Sequence, residues 1–129
     1  MNSDPFVSIV GAGPVGLTLA FLLARRGIGV QVFEAAPEVI EDLRASTFHP
    51  PTLDLLAPFG IADALVKQGR PCPDWQVRMH PEGERAVFDL SAIAGDTAYP
   101  FRLQCEQWRL QRLLLAELET LPCASVHWG

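Results

Sequence analysis

Three glycines near the N-terminus, Gly11, Gly13 and Gly16, have the spacing of a turn that binds phosphate groups. Gly11 permits a tight turn after a strand, Gly13 lets the backbone approach a pyrophosphate, and Gly16 allows the next helix to pack closely. The unpaired N–H groups at the start of that helix favour the same ligand. Glu34 follows a second apolar run and can accept hydrogen bonds from a ribose. The pattern predicts a site for the ADP half of a dinucleotide.

The elements that must position these residues follow from the apolar pattern. Residues 6–10 predict a short strand buried on both faces, and residues 29–33 predict a second strand. A helix separates them, with Pro14 in its first turn. Its side chains expected to lie on the sheet are Leu17, Ala20, Phe21 and Ala24. This strand–helix–strand unit of about 30 residues is the context that the glycine pattern requires.

Two other interpretations of the same stretch are weaker. A strand–helix–strand unit that binds nothing leaves the spacing of the three glycines unexplained. Residues 6–24 carry no charge and are long enough to cross a bilayer as a helix. However, the three glycines and Pro14 interrupt this stretch, and a second strand ending in an acid follows it. Both observations favour the nucleotide site.

Length and composition limit the classes of protein that the chain can represent. Its 129 residues allow one domain of modest size or part of a larger one. The formal net charge of −5 argues against a nucleic-acid partner or an anionic membrane surface. The three cysteines form no CxxC pair, so neither a disulfide framework nor a metal site is indicated. The N-terminus also has no basic signal-peptide region. The cysteine pattern and this N-terminus together favour a reduced, cytoplasmic setting.

The middle of the chain predicts a loop followed by helices and then strands. Residues 35–49 predict a loop, residues 50–57 and 61–67 two short helices, and residues 70–73 a linker-like break. The later elements expected are a hairpin with strands 75–80 and 84–90, a helix over 105–121, and a strand over 124–128.

These elements predict an α/β fold. It consists of a Rossmann-like strand–helix–strand unit with a parallel sheet, to which the start of an antiparallel, substrate-facing hairpin is added. We expect three parts along the chain: a nucleotide-binding part over residues 1–70, the hairpin over 71–103, and a helix and strand over 104–129. The last part is expected to return to the nucleotide-binding domain.

Three blocks of sequence carry a resemblance to one enzyme family. They are GAGPVGLTLA at 11–20, RASTFHPPT at 44–52 and YPFRLQCEQ at 99–107. With these blocks the chain resembles the N-terminal part of the class A FAD-dependent aromatic hydroxylases, which are monooxygenases typified by para-hydroxybenzoate hydroxylase. It is most similar to their phenol and hydroxyphenylpropionate branch. The first block occurs in many flavin and nicotinamide proteins, whereas the other two are more specific.

The resemblance implies which residues contact FAD. Glu34 would bind the adenosine ribose, with Ala35 beside the adenine. Arg44 would lie near the pyrophosphate or ribityl part, where a guanidinium can meet phosphate oxygens; a solvated loop arginine is the alternative. Gln104 would bind the ribityl chain. The other cofactor-binding residues implied are Gly11, Gly13, Pro14, Val15 and Gly16 in the turn, and Ser46 and Thr47 near the flavin ring.

The resemblance also implies a reaction. In the intact family NAD(P)H reduces the flavin, and a flavin hydroperoxide then hydroxylates a small aromatic, phenolic substrate. The cofactor carries most of this chemistry. No residue of this chain is identified as a substrate-activating base, so we assign no catalytic residue. The sequence does not determine the substrate, the choice of nicotinamide or the oligomeric state.

The chain departs from the family pattern in its later motifs. The family needs a downstream Asp-Gly segment, which this sequence lacks, and a late Gly-Asp motif, whereas Gly95-Asp96 lies too early and predicts a turn. We expect roughly the first third of an enzyme, inactive alone, with apolar helix faces left uncovered. Two alternatives remain: a non-catalytic nucleotide-binding fragment, or the N-terminal part of another two-domain flavoprotein oxidoreductase. Whether the chain itself is an enzyme is therefore left open.

Overall fold

The computed structural model of the protein describes residues 6–43 and 45–129, except for the side chains of residues 84 and 85. Helices and strands follow in the order β1 (Phe6–Val10), α1 (Pro14–Ala24), β2 (Gly29–Glu34), β3 (Thr47–Phe48), α2 (Pro50–Leu56), α3 (Ile61–Gln68), β4 (Arg70–Cys72), β5 (Asp74–Met79), β6 (Gly83–Asp89), β7 (Arg102–Gln104), α4 (Gln107–Glu119) and β8 (Ala124–Trp128). Short 3-10 turns follow α2 and β6. No helix among these residues is long and apolar enough to cross a membrane.

The chain forms two compact units, the first made of residues 6–43 and 107–129. This unit contains a parallel sheet in the order β1-β2-β8, with α1 and α4 packed against each other and against the sheet. The helix stripe predicted from the sequence is confirmed, because its four side chains are all buried: Leu17, Ala20, Phe21 and Ala24. Leu110, Leu114 and Leu118 of α4 complete the apolar layer. The parallel α/β fold expected from the sequence is confirmed.

Strand β1 differs from its prediction in one respect. It was expected to be buried on both faces, but Phe6 is 54% exposed and Val10 is 90% exposed. Ile9 is the one buried residue of this strand. Among the described residues β1 pairs with β2 alone and lies at the edge of the sheet. The exposed residues Phe6, Ser8 and Val10 alternate with Val7 and Ile9, so they lie on one face of the strand, and no described residue covers that face enough to bury them.

The second unit contains residues 45–106 and holds two small antiparallel sheets. One has the order β3-β7-β4, and the other is the predicted hairpin β5-β6. Helices α2 and α3 are confirmed, and Gly60 separates them with a left-handed φ of +74°. Gly95-Asp96 lies in a turn as predicted, with the Asp96 N–H donating to the Ile93 carbonyl at 2.9 Å.

Two strands of the second unit were missed by the sequence analysis. Residues 47–48 were placed in a loop, but they form β3, which pairs with β7. Residues 70–73 were placed in a linker-like break, but Arg70–Cys72 form β4 on the other side of β7. Both strands are too short to show an alternating pattern. They exist because β7 offers hydrogen-bonding edges to them, and this pairing is non-local in sequence.

Candidate functional site

The glycine-rich turn of the first unit is compact because two of its residues lie in direct contact. Gly11 has a φ of +101°, in the left-handed region, and its N–H donates to the Phe33 carbonyl at 2.8 Å. A Cβ built on Gly16 would lie 2.1 Å from the Gly11 carbonyl oxygen and 3.3 Å from Ile9 Cγ2. No other residue type fits at position 16 without moving the backbone. This contact keeps the start of α1 against the end of β1.

The start of α1 is open to a ligand. Gly13 is its N-cap residue, with extended backbone, and no side chain caps the helix. A Cβ built on Gly13 would meet no atom of the described residues within 4 Å. Pro14 occupies the first helical position, where its missing N–H costs nothing, and the Val15 side chain is 83% exposed. The N–H groups of Val15 and Gly16 have no intrahelical acceptor at these positions and can bind an anion.

Glu34, the last residue of β2, connects the second strand to the glycine-rich turn. Its Oε2 accepts the Ala12 N–H at 2.7 Å, and its Oε1 accepts the Ala36 N–H at 2.9 Å. The hydrogen bond from the Ala36 N–H is the main cause that lowers the pKa of the Glu34 carboxyl, and the hydrogen bond from the Ala12 N–H lowers it further. Each carboxylate oxygen retains a further lone pair for a ligand hydroxyl. Ala35 follows with an exposed side chain.

Gln111 of α4 is part of the same arrangement and was not identified from the sequence. Its Nε2 donates to the Ala12 carbonyl at 2.9 Å. Ala12 is therefore held at its N–H by Glu34 and at its carbonyl by Gln111. Gln111 lies 99 residues from Ala12 in the chain. No local pattern signals such a contact, because a polar residue on an amphipathic helix normally faces solvent.

The second unit brings together three of the predicted site residues. Gln104 Nε2 donates to Ser46 Oγ at 2.5 Å, and Thr47 Oγ1 donates to Gln104 Oε1 at 3.5 Å. Backbone pairing supports them, since Thr47 lies opposite Gln104 and the Cys105 N–H donates to the Ser46 carbonyl at 2.8 Å. The Gln104 side chain is exposed. These polar groups can therefore exchange their mutual hydrogen bonds for those of a ligand.

Gly69, between α3 and β4, determines how closely the chain approaches β7. A Cβ on Gly69 would lie 2.7 Å from the Gln104 carbonyl oxygen, 2.8 Å from Cys105 Cβ and 2.9 Å from Leu103 Cδ1. Gly69 is the C-cap residue of α3, and its N–H donates to the Leu65 carbonyl. Its role against Gln104 could not be predicted, because it depends on the pairing of β4 with β7.

The predicted site residues therefore form two groups, each within one unit. Those of the first unit are Gly11, Gly13, Pro14, Val15, Gly16, Glu34 and Ala35. Those of the second unit are Ser46, Thr47 and Gln104. Arg44, predicted to meet a phosphate or the ribityl chain, lies outside the described residues.

Comparison with known proteins decides the family. Residues 5–129 match the family described as FAD binding domain. The chain belongs to this family. The match covers both units and includes the glycine-rich turn, Glu34 and Gln104. The match therefore extends well beyond the strand–helix–strand unit.

The relatives of this FAD binding domain are flavin-dependent aromatic monooxygenases. The chain is 41% identical over 126 residues to 6-methylpretetramide 4-monooxygenase of Streptomyces rimosus, covering 97% of this chain and 22% of that protein. It is 38% identical over 124 residues to para-nitrophenol 4-monooxygenase of Pseudomonas sp. strain WBC-3, covering 95% of this chain and 30% of that protein. The crystal structure of p-nitrophenol 4-monooxygenase from Pseudomonas putida DLL-E4 superposes with a TM-score of 0.86 at 32% sequence identity. The superposition covers 96% of this chain and 32% of that protein. The chain thus spans between about a fifth and a third of the length of these relatives.

The residues of the FAD binding domain fit the adenosine diphosphate part of FAD. The space beside Gly13 is free of described atoms, and the uncapped start of α1 offers N–H groups without any acidic side chain in the first turn. The Glu34 carboxylate, with its lowered pKa, is ionised at neutral pH and remains a hydrogen-bond acceptor. An anion site and an adjacent hydroxyl-binding site are the two features that a nucleoside diphosphate needs.

Proposed function

We propose that this chain is the FAD-binding part of an NAD(P)H-dependent monooxygenase that hydroxylates aromatic rings. The observation that carries the proposal is the pair of contacts that hold the turn: Gly16 against the Gly11 carbonyl and Glu34 on the Ala12 N–H. Together they hold an uncapped helix start and an ionised acceptor within the same compact unit. The relatives at 41% and 38% identity, both named as monooxygenases, support the reaction class.

In the first unit, the proposed roles follow from the available polar groups. The N–H groups of Gly13, Val15 and Gly16 would bind the pyrophosphate, aided by the positive end of the α1 dipole. The free lone pairs of Glu34 would accept the ribose hydroxyls, and Ala35 would lie beside the adenine. Pro14 keeps φ suited to the first helical turn without offering a competing donor.

In the second unit, Gln104 would hydrogen-bond the ribityl chain, and Ser46 and Thr47 would run beside the flavin ring. Arg44 would pair with a phosphate or a ribityl hydroxyl. The bound flavin supplies the redox chemistry, which takes electrons from a nicotinamide and activates oxygen for transfer to a phenolic ring. The residues of this chain bind and orient the cofactor. We assign none of them to the proton transfers of the ring substrate.

We further propose that the chain alone does not hydroxylate a substrate. It spans 22% and 30% of the two relatives compared above. The proposed roles of its residues concern only the cofactor. Activity would then need residues that contact the ring, and we assign that role to no residue of this chain.

Titration of the purified chain with FAD tests the cofactor proposal. We expect quenching of flavin fluorescence with a dissociation constant in the micromolar range, and much weaker binding of FMN, which lacks the adenosine part. Glu34→Ala should weaken FAD binding about tenfold, given the worth of charge-assisted hydrogen bonds. Glu38→Ala, which alters an exposed acid four residues later, is the matched control. Equal binding of FAD and FMN, or equal effects of the two variants, would contradict the proposal.

Oxidation of NADPH or NADH by the FAD-loaded chain in the presence of phenols tests the second proposal. We expect no hydroxylated product above the rate of free FAD. Product formation that requires the chain would show that these residues suffice for catalysis.

A further inference from the structure

Ala12 of the glycine-rich turn is held at both of its backbone polar groups by side chains from other elements. Its N–H donates to Glu34 Oε2 at 2.7 Å, and its carbonyl accepts from Gln111 Nε2 at 2.9 Å. Ala12 itself is only 1% exposed. Glu34 comes from the end of β2 and Gln111 from α4, so two separate elements meet at one residue of the turn.

The Ala12–Gly13 peptide needs such support because the glycine that follows it does not fix its orientation. Ala12 lies between Gly11 and Gly13, and a Cβ at either glycine would meet nothing within 4 Å among the described atoms. The orientation of the Ala12–Gly13 peptide depends on ψ of Ala12 and φ of Gly13, and glycine populates positive and negative φ about equally. A hydrogen bond to the Ala12 carbonyl removes this freedom.

Fixing the Ala12 carbonyl also fixes the direction of the Gly13 N–H. The two groups belong to the same peptide plane, and in a trans peptide they point in opposite directions. With its carbonyl turned toward Gln111 of α4, the peptide directs the Gly13 N–H away from α4. This N–H is one of the groups proposed to meet the pyrophosphate.

We propose that Gln111 is a positioning residue for the cofactor, which orients the Gly13 N–H before FAD binds. The inference rests on the proposed function for its consequence in FAD affinity, but its structural part concerns the ligand-free chain. Preorganisation of this kind reduces the ordering cost of binding. Gln111 would thus influence FAD affinity without contacting FAD.

The test compares Gln111→Met with Gln68→Met in the full chain. Methionine keeps the unbranched shape and helix propensity of glutamine but has no N–H donor. Gln68 lies at the end of α3 with an exposed side chain, so its replacement is the control. We expect Gln111→Met to raise the dissociation constant for FAD three- to tenfold, the range for one neutral hydrogen bond. Gln68→Met should leave it unchanged.

A second measurement separates positioning from simple stabilisation. In the ligand-free chain, Gln111→Met should shift or broaden the backbone amide resonance of Gly13, whereas Gln68→Met should not. A lowered melting temperature with unchanged FAD affinity and an unchanged Gly13 resonance would overturn the inference. If the chain binds no FAD, the Gly13 resonance still tests the positional role, while the proposed function alone fails.

If Gln111→Met does not fold, the wild-type chain provides the test. A through-hydrogen-bond scalar coupling between the Gln111 side-chain nitrogen and the Ala12 carbonyl carbon is expected both without and with FAD. Its presence in the ligand-free chain supports positioning before binding. Its absence there, or its loss on addition of FAD, overturns the inference.

Discussion

The Gly11 carbonyl oxygen occupies the place where a side chain at Gly16 would begin, 2.1 Å from a Cβ built there. Strand β1 and helix α1 can approach so closely only because position 16 has no side chain. A Cβ built at position 16 would also lie 3.3 Å from Ile9 Cγ2. Glycine at position 16 is thus required by packing within the protein, independently of any ligand.

This contact predicts that alanine affects stability at one glycine of the turn and FAD binding at another. Gly16→Ala must displace a backbone carbonyl, so we expect a loss of at least about 2 kcal/mol in the free energy of unfolding. At Gly13 a Cβ would meet no described atom within 4 Å, and the φ of −71° suits alanine. Gly13→Ala should therefore change the stability of the protein by less than about 1 kcal/mol. Its new methyl group would obstruct the pyrophosphate and weaken FAD binding at least tenfold. Urea denaturation and FAD titration of both variants measure these effects, and a stable Gly16→Ala would contradict the packing argument.

Glu34 predicts an acid-dependent component of stability. Hydrogen bonds from Ala36 and Ala12 lower its pKa in the folded state, so the ionised form stabilises the protein above the unfolded pKa of about 4.3. This contribution is lost as the pH falls through the lowered folded pKa. Between about pH 5 and about pH 3, wild-type stability should therefore fall more steeply than that of Glu34→Gln. The exposed Glu38→Gln serves as the control, and identical pH profiles for all three proteins would exclude this role.

The close approach of Gly69 to Gln104 leads us to predict that the position of Gln104 depends on this glycine, which lies outside the candidate site. Gly69→Ala would push against the Gln104 carbonyl at 2.7 Å, at an expected cost of about 1–3 kcal/mol. Gly95→Ala meets nothing within 4 Å among the described atoms and should be nearly neutral. Thermal unfolding compares the two variants. Hydrogen exchange of the β7 amides should increase in Gly69→Ala alone; unchanged exchange would show that β7 tolerates the extra methyl group.

Tyr99 predicts a loss of stability at high pH. Burial first, and then the hydrogen bond to Asp63 Oδ1 at 3.0 Å and the negative charges of Asp63 and Asp54, raises its pKa above 10. The neutral phenol therefore stabilises the fold below the unfolded pKa of about 10, and this contribution disappears as the pH rises through the higher folded pKa. Tyr99→Phe should cost about 1 kcal/mol at neutral pH and remove this alkaline dependence.

The sequence makes the Tyr99 measurement direct, because it contains one tyrosine. Tyrosinate absorbance should titrate above pH 10 in the folded chain and near pH 10 in urea. Phe101→Leu, which leaves the hydroxyl in place, is a suitable control for the neighbouring ring contact. A titration midpoint that is the same with and without urea would argue against both the burial of the phenol and its interaction with Asp63.

The chain's local patterns sufficed to predict much of the fold. The β1–α1–β2 unit follows from a short apolar run, a helical stripe and three glycines, each of which acts within a few residues. The β5-β6 hairpin follows from two strand-forming runs on either side of a turn. The family match over residues 5–129 confirms that this pattern belongs to an FAD binding domain. For the individual site residues, the roles assigned to them stay predictions.

The tertiary structure decided what depends on partners distant in sequence. Strands β3 and β4 form because β7 pairs with both, and Ser46 meets Gln104 across 58 residues. Gln111 reaches Ala12 across 99 residues, and nothing in the helical pattern of α4 distinguishes it from a solvent-facing glutamine. Local sequence determines which elements form, since backbone propensity and apolar periodicity act over short distances. Only the packed chain determines which polar groups meet, because each such contact depends on the position of both elements.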